Sequence, residues 1–146
     1  PAVSPPAWFK QVEYPGSGAW EWLLKLNDDS AVWLYTHQNA VRGGAQVSAW
    51  RRIEFRDPQP AATVSTLWAG AYLSLVERVD VNCDNPAERR RAASAYRGRN
   101  MTDLIEPALV PDEAQSQWRP AVPGSEVAAF VSRVCALFRS RGMQPY

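Results

Sequence analysis

The 146-residue chain has one histidine, two cysteines and no real excess of charge, with 16 Lys and Arg against 15 Asp and Glu, a formal net charge of +1. Each shortage excludes something. A balance this even leaves no electrostatic footprint for nucleic acid and no strong pull towards an anionic bilayer. One histidine and two cysteines fall short of the three or four protein ligands of a zinc site unless carboxylates complete it, and no Cys-x-x-Cys pair is present for redox work or haem attachment. No apolar run nears the ~18 residues of a membrane-spanning helix, so no transmembrane segment is expected. No Gly-x-Ser-x-Gly elbow occurs. The chain opens at Pro1 with neither an initiator Met nor a signal peptide, which reads as a processed chain or as one whose Met was removed.

What remains is apolar, aromatic and rich in arginine: 46% of residues are hydrophobic and seven are tryptophan. That is enough for one compact core. The Pro-rich residues 1–7 read as a tail, residues 8–142 as a single domain and residues 143–146 as a second short tail. Trp8 to Tyr14 alternates loosely and is expected to be a first strand ending at Pro15-Gly16-Ser17-Gly18. Two runs, Ala19 to Asn27 and Val32 to Gln38, flank the turn residues Asp28-Asp29-Ser30 and read as a hairpin. Past Gly43-Gly44, the stretch Val47 to Arg56 alternates again, with Arg51 the one charged residue on its apolar parity. A loop is expected around Asp57-Pro58-Gln59-Pro60, and Thr63 to Trp68 is left open between strand and connection. Tyr72 to Cys83 places Leu73, Leu75, Val79, Val81 and Cys83 in phase. Arg89 to Arg99 returns as a further strand, and Asn100 to Pro123, with four prolines, reads as a long irregular crossing.

The period then changes. Val127, Phe130, Val131, Val134 and Phe138 form the stripe of an amphipathic helix, with Ser125 as N-cap, Glu126 at its positive end, Arg139 and Arg141 at its negative end and Gly142 as the stop. Cys135 lies on or beside that stripe, and Cys83 is on the inward parity of its strand. Both sulfurs therefore point to one sheet–helix interface, and a Cys83–Cys135 disulfide is expected. Such a bond is at home in an oxidising compartment, so the cysteines argue for export.

Several of these segments resemble the surface-adhesin protein E-like domains of Gram-negative bacteria. The residues that carry the likeness are Trp33-Leu34-Tyr35-Thr36-His37, Gly43-Gly44, Val47-Ser48-Ala49-Trp50, the run from Ser74 to Asp80-Val81-Asn82-Cys83, and Trp118 followed by Pro123-Gly124-Ser125 and Cys135. The resemblance spans roughly Trp20 to Cys135. It implies an α+β fold, an antiparallel sheet of about six strands with one C-terminal helix packed on its concave face and tethered by a disulfide at Cys83 and Cys135. It also implies an adhesin-like binding module of the periplasm, the outer membrane surface or the extracellular space. Fold transfers along such a resemblance better than ligand does.

His37, the sole histidine, shares a strand parity with two aromatics and reads as structural; Asp28-Asp29 and Asp112-Glu113 sit in turn-like contexts. No catalytic residue, metal site or cofactor is expected, and hence no enzyme. The densest basic stretch, Arg89, Arg90 and Arg91 with Arg97 and Arg99, is the candidate contact surface, together with Trp8, Phe9 and Trp118 near turns. Trp20, Trp22, Trp33 and Trp50 are assigned to a core. A protein partner or self-assembly is expected, with a structural subunit held through its termini as the alternative reading.

Overall fold

The computed structural model describes residues 6–12, 20–63, 70–105 and 116–141. Its main sheet runs β1 (Glu21–Lys25), β2 (Ala31–Tyr35), β4 (Gln46–Pro60), β5 (Ala71–Asn82), β6 (Ala87–Gly98) and β7 (Thr102–Leu104), every pair antiparallel. Two short strands add to it, β3 (Ala40–Gly43) on β4 and β8 (Arg119–Pro120) on β6. The sheet is curled as a half-barrel, and one helix, α1 (Glu126–Arg141), lies in its concavity against β1, β4, β5 and β6. The expected α+β architecture is therefore present.

Helix α1 starts where its sequence says it should: the Ala128 N–H donates to the Ser125 hydroxyl at 3.1 Å, satisfying a donor that the first turn leaves over. Its apolar stripe puts Phe130, Val131, Val134 and Cys135 onto Tyr35, Val47, Ala49, Val79, Val81 and Cys83. Cys83 and Cys135 are bonded, with Cα atoms 5.6 Å apart. Closing a loop with a sequence separation of 52 is worth about 4 kcal/mol on the chain-entropy model, a large part of a domain's stability.

The concave core has a charged centre. Arg51, the exception to its strand's alternation, is 1% exposed. Its Nε donates to Glu77 at 2.9 Å, and its two terminal nitrogens donate to the two Glu88 oxygens at 2.6 and 3.1 Å. The same guanidinium stands 4.6 Å from the ring centre of Trp33 and 4.8 Å from that of Phe130 in α1. Arg90 pairs with Glu77, and Arg119 of β8 with Glu88 at 2.6 Å. The cluster lies between two apolar groups, the one under α1 and a second made by Ala31, Ile53, Tyr72, Leu75, Ala93, Ala95 and Ile105.

Four expectations are corrected. Ala7–Gln11 is a short 3-10 helix, not a strand: the Phe9 N–H bonds the Pro6 carbonyl and the Val12 N–H the Phe9 carbonyl, both at 2.9 Å. That three-residue step aims Phe9 and Val12 together at Val32 and Leu34 on the convex face, where a two-residue step would have separated them. β4 continues through the Asp57–Pro60 stretch because the sheet absorbs it as an irregularity between Glu54 and Gln59, which spares Pro58 a ladder donor it lacks. Within the expected irregular crossing stand β7 and β8. Finally, Trp50 is exposed rather than in the core. Thr63 is the last residue of a second 3-10 turn, and residues 64–69, together with 1–5, 13–19, 106–115 and 142–146, lie outside the described residues, so the tails and the Gly142 stop are among the expectations that fall there.

A second buried carboxylate holds the β6–β7 turn. Asn100 and Met101 both have positive φ, 62° and 57°, within the three residues that join the paired Gly98 and Thr102. Asn accepts that conformation and Met does not readily. The strain is offset by Glu54, which accepts the Asn100 N–H at 3.1 Å and the Ser74 hydroxyl at 2.6 Å, while Ser74 Oγ accepts the Met101 N–H at 3.1 Å.

Burial alone would raise the Glu77 pKa, but the Arg51 and Arg90 guanidiniums outweigh it and hold the carboxyl below its ordinary 4.5. A depressed carboxyl stabilises the fold fully above its unfolded value and loses that contribution as pH falls through the folded one. Wild-type stability in urea should therefore fall as pH drops below about 4.5. Arg51→Ala, which leaves the buried Glu77 and Glu88 side by side with only Arg90 and Arg119 to offset them, should cost about 3 kcal/mol at pH 7. Equal urea midpoints for the two proteins would show that the cluster carries no such weight.

Candidate binding surface

Cross-strand register carries the sequence onto a surface. On the convex face Asp80 of β5 is paired with Ser48 and with Arg89, and the neighbouring row pairs Trp50 with Arg78 and Arg78 with Ala92. The ladder slips between Arg78 and Val79, so Arg91 is an extra residue in β6. That slip turns Arg90 inward to Glu77 while Arg89 and Arg91 both reach Asp80, at 3.2 and 3.6 Å. Trp118, just before β8, lies under the Arg89 guanidinium, 4.7 Å from it. Trp50 and Trp118 are 41% and 36% exposed. They bracket Arg78, Arg89, Arg91 and the buried Asp80.

Ion pairing separates these arginines. Arg89 and Arg91 share one carboxylate that is 1% exposed, and only its Oδ2 takes part, leaving Oδ1 without a hydrogen-bond donor. Arg78 has no carboxylate partner among the described residues, and its Nε has no hydrogen-bond partner. Counting Arg78, Arg89 and Arg91 against Asp80, the patch carries a net charge of +2.

The expected arginine surface is thus divided. Arg89, Arg91 and Trp118 come together on the convex face; Arg90 faces the core; Arg97 lies 3.9 Å from Asp103 near the β6–β7 turn. Arg99 ties down the N-terminal segment: it donates to the Phe55 carbonyl at 2.6 Å and stands 4.9 Å from the Trp8 ring. Trp8 in turn donates to the Asp29 carbonyl at 2.7 Å, and Phe9 is buried edge-on to Trp22, ring centres 4.8 Å apart. Trp8 and Phe9 therefore pack on their own sheet. Trp50 and Arg78 were absent from the expected surface. Their signal was nonetheless in the sequence: Trp50 shares the parity of Ser48, Arg52 and Glu54, so an aromatic stands out of phase with its strand's apolar face.

His37 belongs to a separate cluster at the β1–β2 edge. It pairs with Glu21 and stacks on Tyr35 at 5.6 Å, and Arg133 of α1 lies 5.4 Å from the Tyr35 ring. The hydrogen bond from Tyr35, and then that from His37, lowers the Glu21 pKa. Burial, and then the Glu21 carboxylate, raises that of Tyr35. Imidazole and phenol thus converge on one carboxylate. Among the described residues no three His, Cys, Asp or Glu side chains gather to hold a metal ion. No described helix is long and apolar enough to cross a membrane, which says nothing of a β-barrel.

Tyr35→Phe and His37→Ala should each raise the Glu21 carboxyl pKa, the first by removing the hydrogen bond that is the largest single cause of its depression, the second by removing a hydrogen bond and a neighbouring charge. Carboxyl carbon chemical shifts followed against pH measure both, and an unchanged Glu21 titration in Tyr35→Phe would reverse the assignment.

No curated protein and no solved structure matches the chain. A family model does, that of the surface-adhesin protein E, over residues 20–136.

Proposed function

The chain belongs to the surface-adhesin protein E family, and from that premise we propose that it is an exported, non-enzymatic binding module of the cell envelope whose contact surface is the convex face around Trp50, Arg78, Arg89, Arg91 and Trp118. The observation that carries this reading is the pairing of two exposed indoles with an arginine that has no carboxylate partner among the described residues, on the face opposite α1. The buried charges behave otherwise: Arg51, Glu77 and Glu88 in the concave core, and Arg52 and Glu54 on the parity of Trp50, all have charged or hydrogen-bonding partners. Exposed tryptophan and arginine are the side chains most enriched among residues that dominate binding energy. The convex face near β1 and β2 is meanwhile filled by Phe9, Val12 and Trp22, so the β4–β5–β6 region is the part left for a ligand.

Beads coated with the purified protein test this on two films, one of extracellular-matrix protein and one of acidic polysaccharide. Wild-type beads should be retained on at least one film, and a Trp50→Ala/Trp118→Ala variant about tenfold less. Equal retention of the variant would sink the assignment of the face. Absence of retention on both films, with a micromolar oligomer in sedimentation, would favour the alternative, a structural subunit of an envelope assembly.

A further inference from the structure

The convex patch has a chemistry specific enough to name a ligand class. Resting on the binding reading above, we infer that it takes a carboxylated polysaccharide, a chain of uronic-acid rings. Three features point there. Its two indoles are exposed at the surface, and no patch residue lines the cavity formed by Leu24, Asn27, Gly124, Ser125 and α1 or the one formed by Cys83, Pro86, Ala121, Pro123 and α1. Stacking and surface hydrogen bonds are what such indoles and arginines offer a ligand. Trp50 and Trp118 are separated by β5 and β6, which at about 4.8 Å per strand places them roughly 14 Å apart across the sheet. That spacing suits a ligand that repeats a flat ring along its length. Each indole offers an aromatic face to the C–H faces of a pyranose, as it does to any flat partner.

Charge selects among such polymers. A guanidinium fork matches the planar carboxylate, and Arg89 and Arg91 already hold one, that of Asp80. Asp80 cancels one of the three positive charges, and the remaining two suit about one charge per ring better than a densely sulfated polymer. Ser94, half-buried, lies on the same face and adds a hydroxyl.

The test uses the full chain and polygalacturonate as the probe, with neutral dextran, dextran sulfate, poly-glutamate, oligo-thymidine and phosphatidylglycerol vesicles beside it, read by calorimetry. Polygalacturonate should bind, more weakly at high salt. Trp50→Ala and Arg78→Ala should each weaken it about tenfold. Arg97→Ala, at the far end of β6, should leave it unchanged. Thermal melts and an intact disulfide establish that the variants fold, and Arg78→Lys, which keeps the charge and loses the fork, should also weaken binding. The inference is overturned if dextran binds as tightly, if only dextran sulfate binds, if poly-glutamate, oligo-thymidine or vesicles bind with the same dependence on Trp50, or if binding ignores Trp50. Loss of matrix-film retention by the Trp50→Ala/Trp118→Ala variant without any binding of polygalacturonate would remove the polysaccharide and leave the binding face standing. Retention insensitive to those substitutions would remove both.

Discussion

A guanidinium placed at the middle of an apolar face constrains the rest of this fold. Arg51 cannot leave water without compensation: burying an ion costs several kcal/mol even after relaxation, and only good geometry with further hydrogen bonds offsets it. Its partners come from far along the chain, Glu77 on β5 and Glu88 on β6, with Trp33 on one side and Phe130 of α1 on the other. The site is complete only when strand order, register and helix docking are all correct. A one-residue slip of β4 against β5 would send Arg51 to the opposite face from Glu77, so the cluster specifies register as well as being held by it.

Much of this was legible in the sequence where a period governs. Cys83 is in phase with Leu75, Val79 and Val81, and Cys135 with Val131, so the covalent link between sheet and helix follows from counting twos on one side and threes and fours on the other. Elements set by tertiary contacts were harder to read. Phe9 and Val12 share a face only because that segment winds as a 3-10 turn, and nothing local distinguishes this from a loosely alternating strand. β6 hid its pattern because the extra Arg91 shifts the parity, so that Glu88 and Arg90 face inward on one phase and Ala93 and Ala95 on the other. Arg51 was visible as a breach of alternation, but its partners lie 26 and 37 residues away.

The binding surface shows the same division. Arg89, Arg91 and Trp118 were singled out by composition, and composition did not separate them from Arg90, Arg97 and Arg99, whose side chains are engaged in the core, at a turn and on Trp8. Burial and pairing decide that sorting, because two arginines adjacent in a strand face opposite sides of it. Trp50 shows the converse. Large aromatics in a strand are usually core, yet parity put this one outside, and a violation of that kind is where function tends to be found.

The bond between α1 and the sheet has a mechanical side. Cys83 directly follows β5, a strand with neighbours on both edges, and Cys135 sits within α1. Tension entering from the C-terminal end of the helix passes through the two sulfurs into that strand and bypasses the residues between them, a sequence separation of 52. β6, β7, β8 and the first turns of α1 lie inside the bypassed span, so tension applied between the two ends of the chain does not run along their backbone. A domain stretched end to end would keep these strands unextended until the strands ahead of Cys83 gave way.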